Sequence, residues 1–422
     1  MSGPASTASG DDPHRSFAAL RHPDFRAYFI VSVMATMADN IEHVISYWVL
    51  YQKFHSPTLG GIAILTHWLP FLLFSVYSGA LADRYDKRLL VQISMVLFMV
   101  VSLGWAYLFH TDEVEQWHAV VLLSIHGIAG VLWGPASQLL IQEIVGPKLL
   151  QSAVRSNASA RQLGILMGPA VGGALMLLLG TTAGLVINAL LYIPLIVWLA
   201  KTPHGARRAD AQSVKRPGGL ADTFATLRIA QNNRTLFSMI LLAGISSFFV
   251  GNAFQAQMPE FAHDLGTETA GFSYSVLLAA NASGAFIGGV LLESRSLLQP
   301  NPRTAIVLTI LWCIAITGFA LTDNYPLAIA LIFAAGFLNL SFNSMAQTLV
   351  QIHAPPTLRG RMIGLYNMSN NGMRTFSGIT VGILGSAIGI HASLALSALV
   401  LLASALVLLA FSMRAGQAPP SP

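Results

Sequence analysis

Gly79-Ala-Leu-Ala-Asp83-Arg84-Tyr85-Asp86-Lys87-Arg88 packs five charged side chains into ten residues. On either side the chain is almost wholly apolar, over 59–82 and 89–110. The contrast holds throughout: 422 residues carry 23 Lys+Arg and 18 Asp+Glu, so 10% are charged, against about 25% in an ordinary soluble domain. Hydrophobic residues make up 54% and the mean hydropathy is +0.62. No Asp, Glu, Lys or Arg lies between Glu268 and Glu293, Arg303 and Asp323, Asp323 and Arg359, or from Thr375 to Met413. Each run is long enough for a membrane-spanning helix, which needs ~20 apolar residues. A soluble enzyme, a nucleic-acid binder and a disordered protein are excluded. The single cysteine, Cys313, excludes a disulfide framework and a multi-cysteine zinc site.

Twelve hydrophobic segments are expected, at roughly 27–51, 59–82, 89–110, 118–143, 158–179, 182–200, 235–257, 271–292, 304–322, 326–350, 362–386 and 391–413. They are too long for barrel strands and lack alternation, so helices are the spanning form. With the N-terminus in the cytoplasm, 21 of the 23 basic residues fall on the cytoplasmic side; Lys53 is outside and Arg374 within a span. The other side carries Asp112, Glu113, Glu115, Asp264, Glu268 and Asp323. This asymmetry puts both termini in the cytoplasm. The pI near 9.4 is therefore a topology signal and not a sign of a nucleic-acid partner.

The longest hydrophilic connection, 201–234, divides the chain into a tail (1–26), a six-helix bundle (27–200), the linker, a second six-helix bundle (235–413) and a short tail (414–422). A shift of 209 residues aligns Gln138-Leu-Leu-Ile-Gln142 with Gln347-Thr-Leu-Val-Gln351, Pro147 with Pro356 and Gly173 with Gly382. Such internal repeats are common in secondary transporters, whose binding site lies between the repeats near the bilayer midplane.

The Gly79–Arg88 stretch resembles the signature G-x-L-x-D-R-x-G-R-K/R of the major facilitator superfamily, with Asp86 in place of the usual Gly. The segment Pro355–Tyr366, Gly168-Pro-Ala-Val-Gly-Gly173 and Gly271-Phe-Ser-Tyr-Ser-Val are similar to the enterobactin-exporter and multidrug-efflux branch. The resemblance implies an all-α membrane protein with twelve transmembrane helices in two six-helix halves. It also implies a conformational role for Gly79, Asp83, Arg84, Lys87 and Arg88, a cluster that in the family bridges the halves on the cytoplasmic side. Gly79 would let the second span approach a neighbour closely. In the family the second, fifth, eighth and eleventh spans meet between the halves. The glycine ridges Gly164/Gly168/Gly172, Gly284/Gly288 and Gly378/Gly382 are then expected at that interface, letting the halves rock.

Ionisable residues inside a membrane are costly and are functional candidates by default. Asp39, Glu42 and His43 lie mid-span at i, i+3, i+4, on one helix face. His67 and His126 lie at similar depth, as does Arg374, about 12 residues or roughly 18 Å into its span. Arg374 is expected to find an acidic partner or water, with Asp39 or Glu42 the nearest candidate. These six residues are the candidates for proton coupling, Asp39 first and Glu42 second, with a histidine assisting. The family builds its cavity from the first, fourth, seventh and tenth spans. Tyr47, Trp48, Trp133, Gln138, Asn252, Gln255, Asn339 and Asn343 are the substrate-cavity candidates there, an aromatic and amide lining suited to a mid-sized, partly apolar ligand.

No Gly-Lys dipeptide occurs, so no phosphate loop exists, and there is no H-E-x-x-H or cysteine-pair motif. The three histidines match no metal motif by spacing. No cofactor, no metal and no enzymatic activity are expected. The combined expectation is a monomeric, multi-pass transporter of the cell (inner) membrane, working by alternating access, with small molecules, protons and the lipid bilayer as partners. Proton-coupled export of drugs, siderophores or similar compounds is the first reading. Uptake, or flipping of a lysophospholipid, is the alternative on the same fold.

Overall fold

The computed structural model describes residues 18–204, 220–266, 270–295, 301–355 and 358–415. The rest of both tails and of the 201–234 linker lies outside the described residues, as do the side chains of Asp83 and Arg84. Among the described residues there is no strand. The helices are α1 (Pro23–Phe54), α2 (Pro57–Arg84), α3 (Lys87–Thr111), α4 (Gln116–Leu190), α5 (Ile193–Lys201), α6 (Leu220–Gln231), α7 (Arg234–Phe249) and α8 (Ala253–Asp264). Then follow α9 (Ala270–Arg295), α10 (Pro302–Leu321), α11 (Tyr325–His353), α12 (Arg359–Asn367), α13 (Arg374–Ser377), α14 (Leu384–Ile388) and α15 (Ile390–Ala415). Eight helical segments among the described residues are long and apolar enough to cross a membrane.

Local chemistry explains where the chain turns. His55, in the left-handed region at φ 44°, ends α1, and Ser56 Oγ accepts from Leu59 N at 3.2 Å to start α2. Gly146 (φ 67°) and Gly180 (φ 81°) break α4 into three legs. The segment expected at 235–257 is split into α7 and α8 at Gly251, where φ is 46° and a Cβ would lie 2.6 Å from both Ser247 O and Ser377 Oγ. The segment expected at 362–386 is helical but irregular: two π-helical stretches, Met368–Gly372 and Gly378–Ile383, flank the single turn α13 that carries Arg374. Interrupted helices need their freed carbonyls satisfied inside the protein. Thr380 Oγ1 donates to Phe249 O at 2.8 Å, and Ser247 Oγ donates to Asn370 O at 2.6 Å.

α1 to α5 pack chiefly on one another, and so do α7 to α15. The two groups meet where α2 crosses the irregular segment and where α4 crosses α9. These junctions lie toward the Phe54/Pro57 end. A Cβ on Gly61 would sit 2.9 Å from Gly382 Cα and 2.7 Å from Ile383 N, so the two backbones are in direct contact. Gln257 Nε2 donates to Pro57 O at 2.8 Å, Tyr274 OH donates to Val44 O at 3.1 Å, and Trp48 stacks on Tyr274 at 5.9 Å. Toward the Arg84/Lys87 end, Cβ atoms added to Gly79 or Gly364 would meet open space. Among the described residues, the contacts that join the two groups gather toward the Phe54/Pro57 end.

The glycine ridges divide differently from the expectation. Gly164, Gly168 and Gly172 lie on Thr36, Asn40, Ile41 and Val44 of α1, and Gly284 and Gly288 lie on Phe333 and Phe337 of α11. Both ridges fasten helices within one group. Gly378 and Gly382 do meet the other group, at Gly61. Spacing by four shows only that one helix face is small; which neighbour takes it is a tertiary matter.

Candidate functional site

α1 carries Asp39, Glu42 and His43 on one face, as the spacing requires, and the first leg of α4 meets that face through His126, while the Gly164–Gly172 ridge of the next leg packs on the Thr36/Asn40/Val44 face of α1. Gly127 lets α4 approach α2: a Cβ there would overlap His67 O of α2. His126, its neighbour in sequence, is thereby brought between α1 and α2. His126 Nε2 lies 2.7 Å from Asp39 Oδ1, and His126 Nδ1 lies 3.0 Å from Glu42 Oε1. Each gap is a hydrogen bond only if it holds a proton; with both gaps filled, the three groups carry two protons and a net charge of −1.

Glu42 is wholly buried and its second oxygen is also used. Ser102 Oγ of α3 donates to Glu42 Oε2 at 2.9 Å, and Asn188 Nδ2 of α4 donates to Ser102 Oγ at 3.0 Å. A buried carboxylate without such partners would cost several kcal/mol. The Asp39 side chain is 28% exposed, so this end of the chain of contacts is not sealed. Phe98 closes over His126 at 4.6 Å between ring centroids and stacks on Tyr192.

The three histidines form one cluster. His43 Nδ1 lies 2.7 Å from its own helix at Asp39 O, and His43 Nε2 is 3.4 Å from His67 Nδ1. The ring of His43 meets that of His126 edge to face at 4.6 Å. Candidate ligand atoms of His43, His67 and His126 all lie within 4.8 Å of one another. The spacing of these histidines matches no metal motif, and the structure nevertheless brings them together. Sequence spacing tests only ligands on one helix or loop, and these come from three helices.

Arg374, expected to meet an acidic partner or water with Asp39 or Glu42 the nearest candidate, pairs with neither carboxylate. Among the described residues it forms no ion pair; its Nε donates to Asn370 O at 3.1 Å and its guanidinium lies 4.8 Å from the centre of the Trp68 ring. The carboxylates are held by His126, whose helix packs on theirs, while Arg374 approaches from the other group of helices by way of α2.

The Gly79–Arg88 stretch spans the end of α2 and the start of α3. Asp86 caps α3, accepting from Arg88 N at 2.9 Å and from Arg88 Nη2 at 2.8 Å. Burial alone would raise the Asp86 carboxyl, but the Arg88 hydrogen bonds outweigh it and hold the group below its ordinary value. Lys87 pairs with Glu143 of α4 at 2.8 Å, and Arg88 Nη1 donates to Thr202 O at the end of α5 at 2.9 Å. All three residues therefore bind within their own group of helices. Gly79 makes no close approach in this arrangement.

The cavity candidates scatter. Trp48 belongs to the closed end, through Tyr274, and Tyr47 is buried beside His43 at 5.3 Å. Trp133 packs edge-on against Phe98, and Gln138 is exposed. Asn252 Nδ2 donates to Gln255 Oε1 at 3.2 Å, just after the break in α7. Asn343 Nδ2 donates to Asn339 O at 3.0 Å and its own carbonyl accepts from Tyr366 OH. Sequence reasoning missed Ser102, Asn188, Trp68, Gly61 and Gly127. Asn188, a lone amide in the apolar run 182–200, was the one with a readable signal.

Comparison with known proteins agrees with this picture. Residues 14–421 match the family described as transmembrane secretion effector, of the major facilitator superfamily. The multidrug efflux pump Tap of Mycolicibacterium fortuitum is 23% identical over 83% of this chain and 86% of its own length. The macrolide efflux protein A of Streptococcus pyogenes is 24% identical over 58% of this chain and 59% of its own. The staphyloferrin A transporter of Staphylococcus aureus is 22% identical over 43% of this chain and 48% of its own. Among solved structures, the nucleoside transporter NupG superposes with a TM-score of 0.70 at 15% identity, covering 94% of this chain and all of that one. The inward-open xylose transporter XylE of E. coli gives 0.64 at 15% identity, covering 89% and 95%. At such identity the structures speak for the fold alone. The chain belongs to the transmembrane secretion effector family of the major facilitator superfamily, as a multi-pass membrane transporter and not an enzyme.

Proposed function

We propose that this protein is a proton-coupled exporter of small, partly apolar molecules such as drugs or siderophores, working by alternating access. In this reading it is a monomer of the cell membrane with twelve spans in two six-helix halves (27–200 and 235–413) and both termini cytoplasmic. The observation that carries the proposal is the bridge of His126 between Asp39 and Glu42, set in the wall of a molecule closed at one end. With the basic residues inside, the closed Phe54/Pro57 end faces out, and the structure corresponds to an inward-facing state.

Two protons and a net negative charge make the Asp39–His126–Glu42 set a proton store with room for one more. Asp39, partly exposed, takes up or releases the mobile proton; Glu42, buried behind it and held by Ser102, keeps His126 oriented. Rocking of the halves, with parting of the Gly61–Gly382 contact, would turn Asp39 from one side of the membrane to the other. Substrate moving against the proton completes an exchange. Export is favoured over uptake by the efflux relatives.

A second reading has one observation behind it. Ala170, Gly173, Leu177, Phe272, Ser275 and Val276 line an apolar crevice between α4 and α9 of about 410 Å³. Such a side opening suits a lipid-like substrate, and a lysophospholipid flippase would use it.

Everted membrane vesicles separate the readings. Proton-driven accumulation of a dye or macrolide inside such vesicles means export in the cell, and it should vanish in Asp39→Asn and Glu42→Gln while substrate binding persists. Undiminished proton-driven accumulation in both variants would sink the coupling proposal; lysophospholipid translocation without a proton gradient would favour the second reading.

A further inference from the structure

We infer that His43, His67 and His126 form a binding site for a divalent transition-metal ion of the zinc type, with Asp39 as the fourth ligand. The inference rests on the transporter reading of the fold but not on its proton step.

The geometry starts from the ring nitrogens. Tetrahedral zinc with Zn–N bonds of ~2.0–2.1 Å needs nitrogens about 3.3 Å apart. His43 Nε2 and His67 Nδ1 already stand 3.4 Å apart, and the third imidazole brings the whole set within 4.8 Å. The ligands come from α1, α2 and α4, and the close approach of Gly127 to the backbone of His67 fixes α4 against α2 at the site. Closing the set requires the side chains to rotate so that the wider separations shrink from at most 4.8 Å toward about 3.3 Å.

The outer contacts point the same way. A metal-bound histidine usually donates its other ring N–H to a carbonyl or carboxylate, which fixes its tautomer and orientation. His43 Nδ1 has such a partner in Asp39 O at 2.7 Å, leaving Nε2 with its lone pair toward the cluster. His126 Nδ1 has one in the buried Glu42, leaving Nε2 as the ligand. That nitrogen now shares a proton with Asp39. An entering dication takes the lone pair, the proton leaves to solvent past the partly exposed Asp39, and the freed Asp39 carboxylate becomes a ligand.

Charge decides what kind of ion fits. Two carboxylates, Asp39 and Glu42, balance a dication held among three neutral imidazoles, as burial of an ion nearly requires. Imidazole ligands select zinc, copper, nickel or cobalt; magnesium and calcium prefer all-oxygen sites. The Asp39 side chain is 28% exposed, so this ligand is the point at which an ion can reach the set.

The test uses tag-free purified protein in detergent, with cobalt(II) as the probe and no proton gradient. The expected result is one cobalt per chain with visible absorption bands of a nitrogen-ligated tetrahedral ion, displaced by zinc and not by magnesium. His67→Asn should abolish those bands, and Glu42→Gln should weaken binding about 10–100-fold. A zinc-induced rise in melting temperature, present in the wild type and absent in His67→Asn, checks that the variant is folded and has lost only the site. No cobalt bands in the wild type, or bands that His67→Asn leaves unchanged, would overturn the inference. Proton-driven transport measured separately with a chelator present keeps this outcome distinct: transport that survives while cobalt fails to bind removes the metal site and leaves the exporter standing.

Discussion

His126 Nδ1 lies 3.0 Å from Glu42 Oε1, and neither side chain is more than 1% exposed. The contact joins α4 to α1 across 84 residues of sequence. It is the innermost link of a chain that runs from Asp39 through His126, Glu42 and Ser102 to Asn188. Three helices thus depend on one imidazole for their shared polar core.

Removing that imidazole should be costly. His126→Ala leaves Glu42 buried with Ser102 as its remaining partner, and loss of one member of a buried pair costs about 3–5 kcal/mol. His126→Gln, which keeps a donor, should lose clearly less. Thermal unfolding in detergent reads both; a His126→Ala protein as stable as wild type would mean that water takes the place of the ring.

The Gly61–Gly382 contact should set the balance between open and closed ends. Gly61→Val puts two methyls into the space of Gly382 Cα and Ile383 N, and the α2 and Gly378–Ile383 backbones must part. Overpacking of this kind typically costs ~1–3 kcal/mol, here drawn from the closed arrangement of the Phe54/Pro57 end. A cysteine placed at Tyr47 should then react faster with a membrane-impermeant thiol reagent from outside. Equal reaction rates would show that the contact does not hold that end shut.

Asp86 supplies a test at the α2–α3 turn. Asp86→Ala removes the cap of α3 and should cost about 0.5–2 kcal/mol. The pH dependence has a definite sign. Because the folded carboxyl is held below its ordinary value by Arg88, its contribution is complete above that ordinary value and is lost as pH falls through the lowered one. Melting temperatures of wild type and Asp86→Ala should therefore converge toward strongly acidic pH. A gap that stays constant with pH would assign the cap's effect to shape and not charge.

Arg374 should be dispensable for folding and needed for transport. It forms no ion pair among the described residues, and its face-on contact with Trp68 is worth about 0.5–2 kcal/mol. Arg374→Gln should melt close to wild type yet transport poorly in vesicles, and Arg374→Lys should not restore it, since a lysine cannot lie flat on the indole. Full activity in Arg374→Gln would make the residue a packing element.

Much of the fold was legible because a bilayer leaves few choices. Uncharged runs of the right length must be helices, and the Gly79–Arg88 stretch marks a turn at the basic side. The irregularities were harder. Gly251 splits one expected segment because its φ of 46° and its contact with Ser377 admit no side chain, and contact with another helix leaves no mark in local sequence. The glycine ridges show the limit most clearly. Spacing found all three, yet two of them fasten α1 and α11 within their own groups of helices. In the candidate site, the face of Asp39, Glu42 and His43 follows from helical period alone. Ser102 did not stand out, since a serine in an apolar helix is unremarkable until a carboxylate is placed 2.9 Å away.

Sequence alone determined the solvent of this protein, the run of its helices and the small set of ionisable groups left within them. Those follow from hydropathy and from the 3.6-residue period, which act locally along the chain. The tertiary structure decided which of those groups meet. It gave both carboxylates to His126 and set Arg374 on Trp68. It also gathered three histidines from three helices into one cluster, because close backbone approach at glycines fixes which helix faces come together.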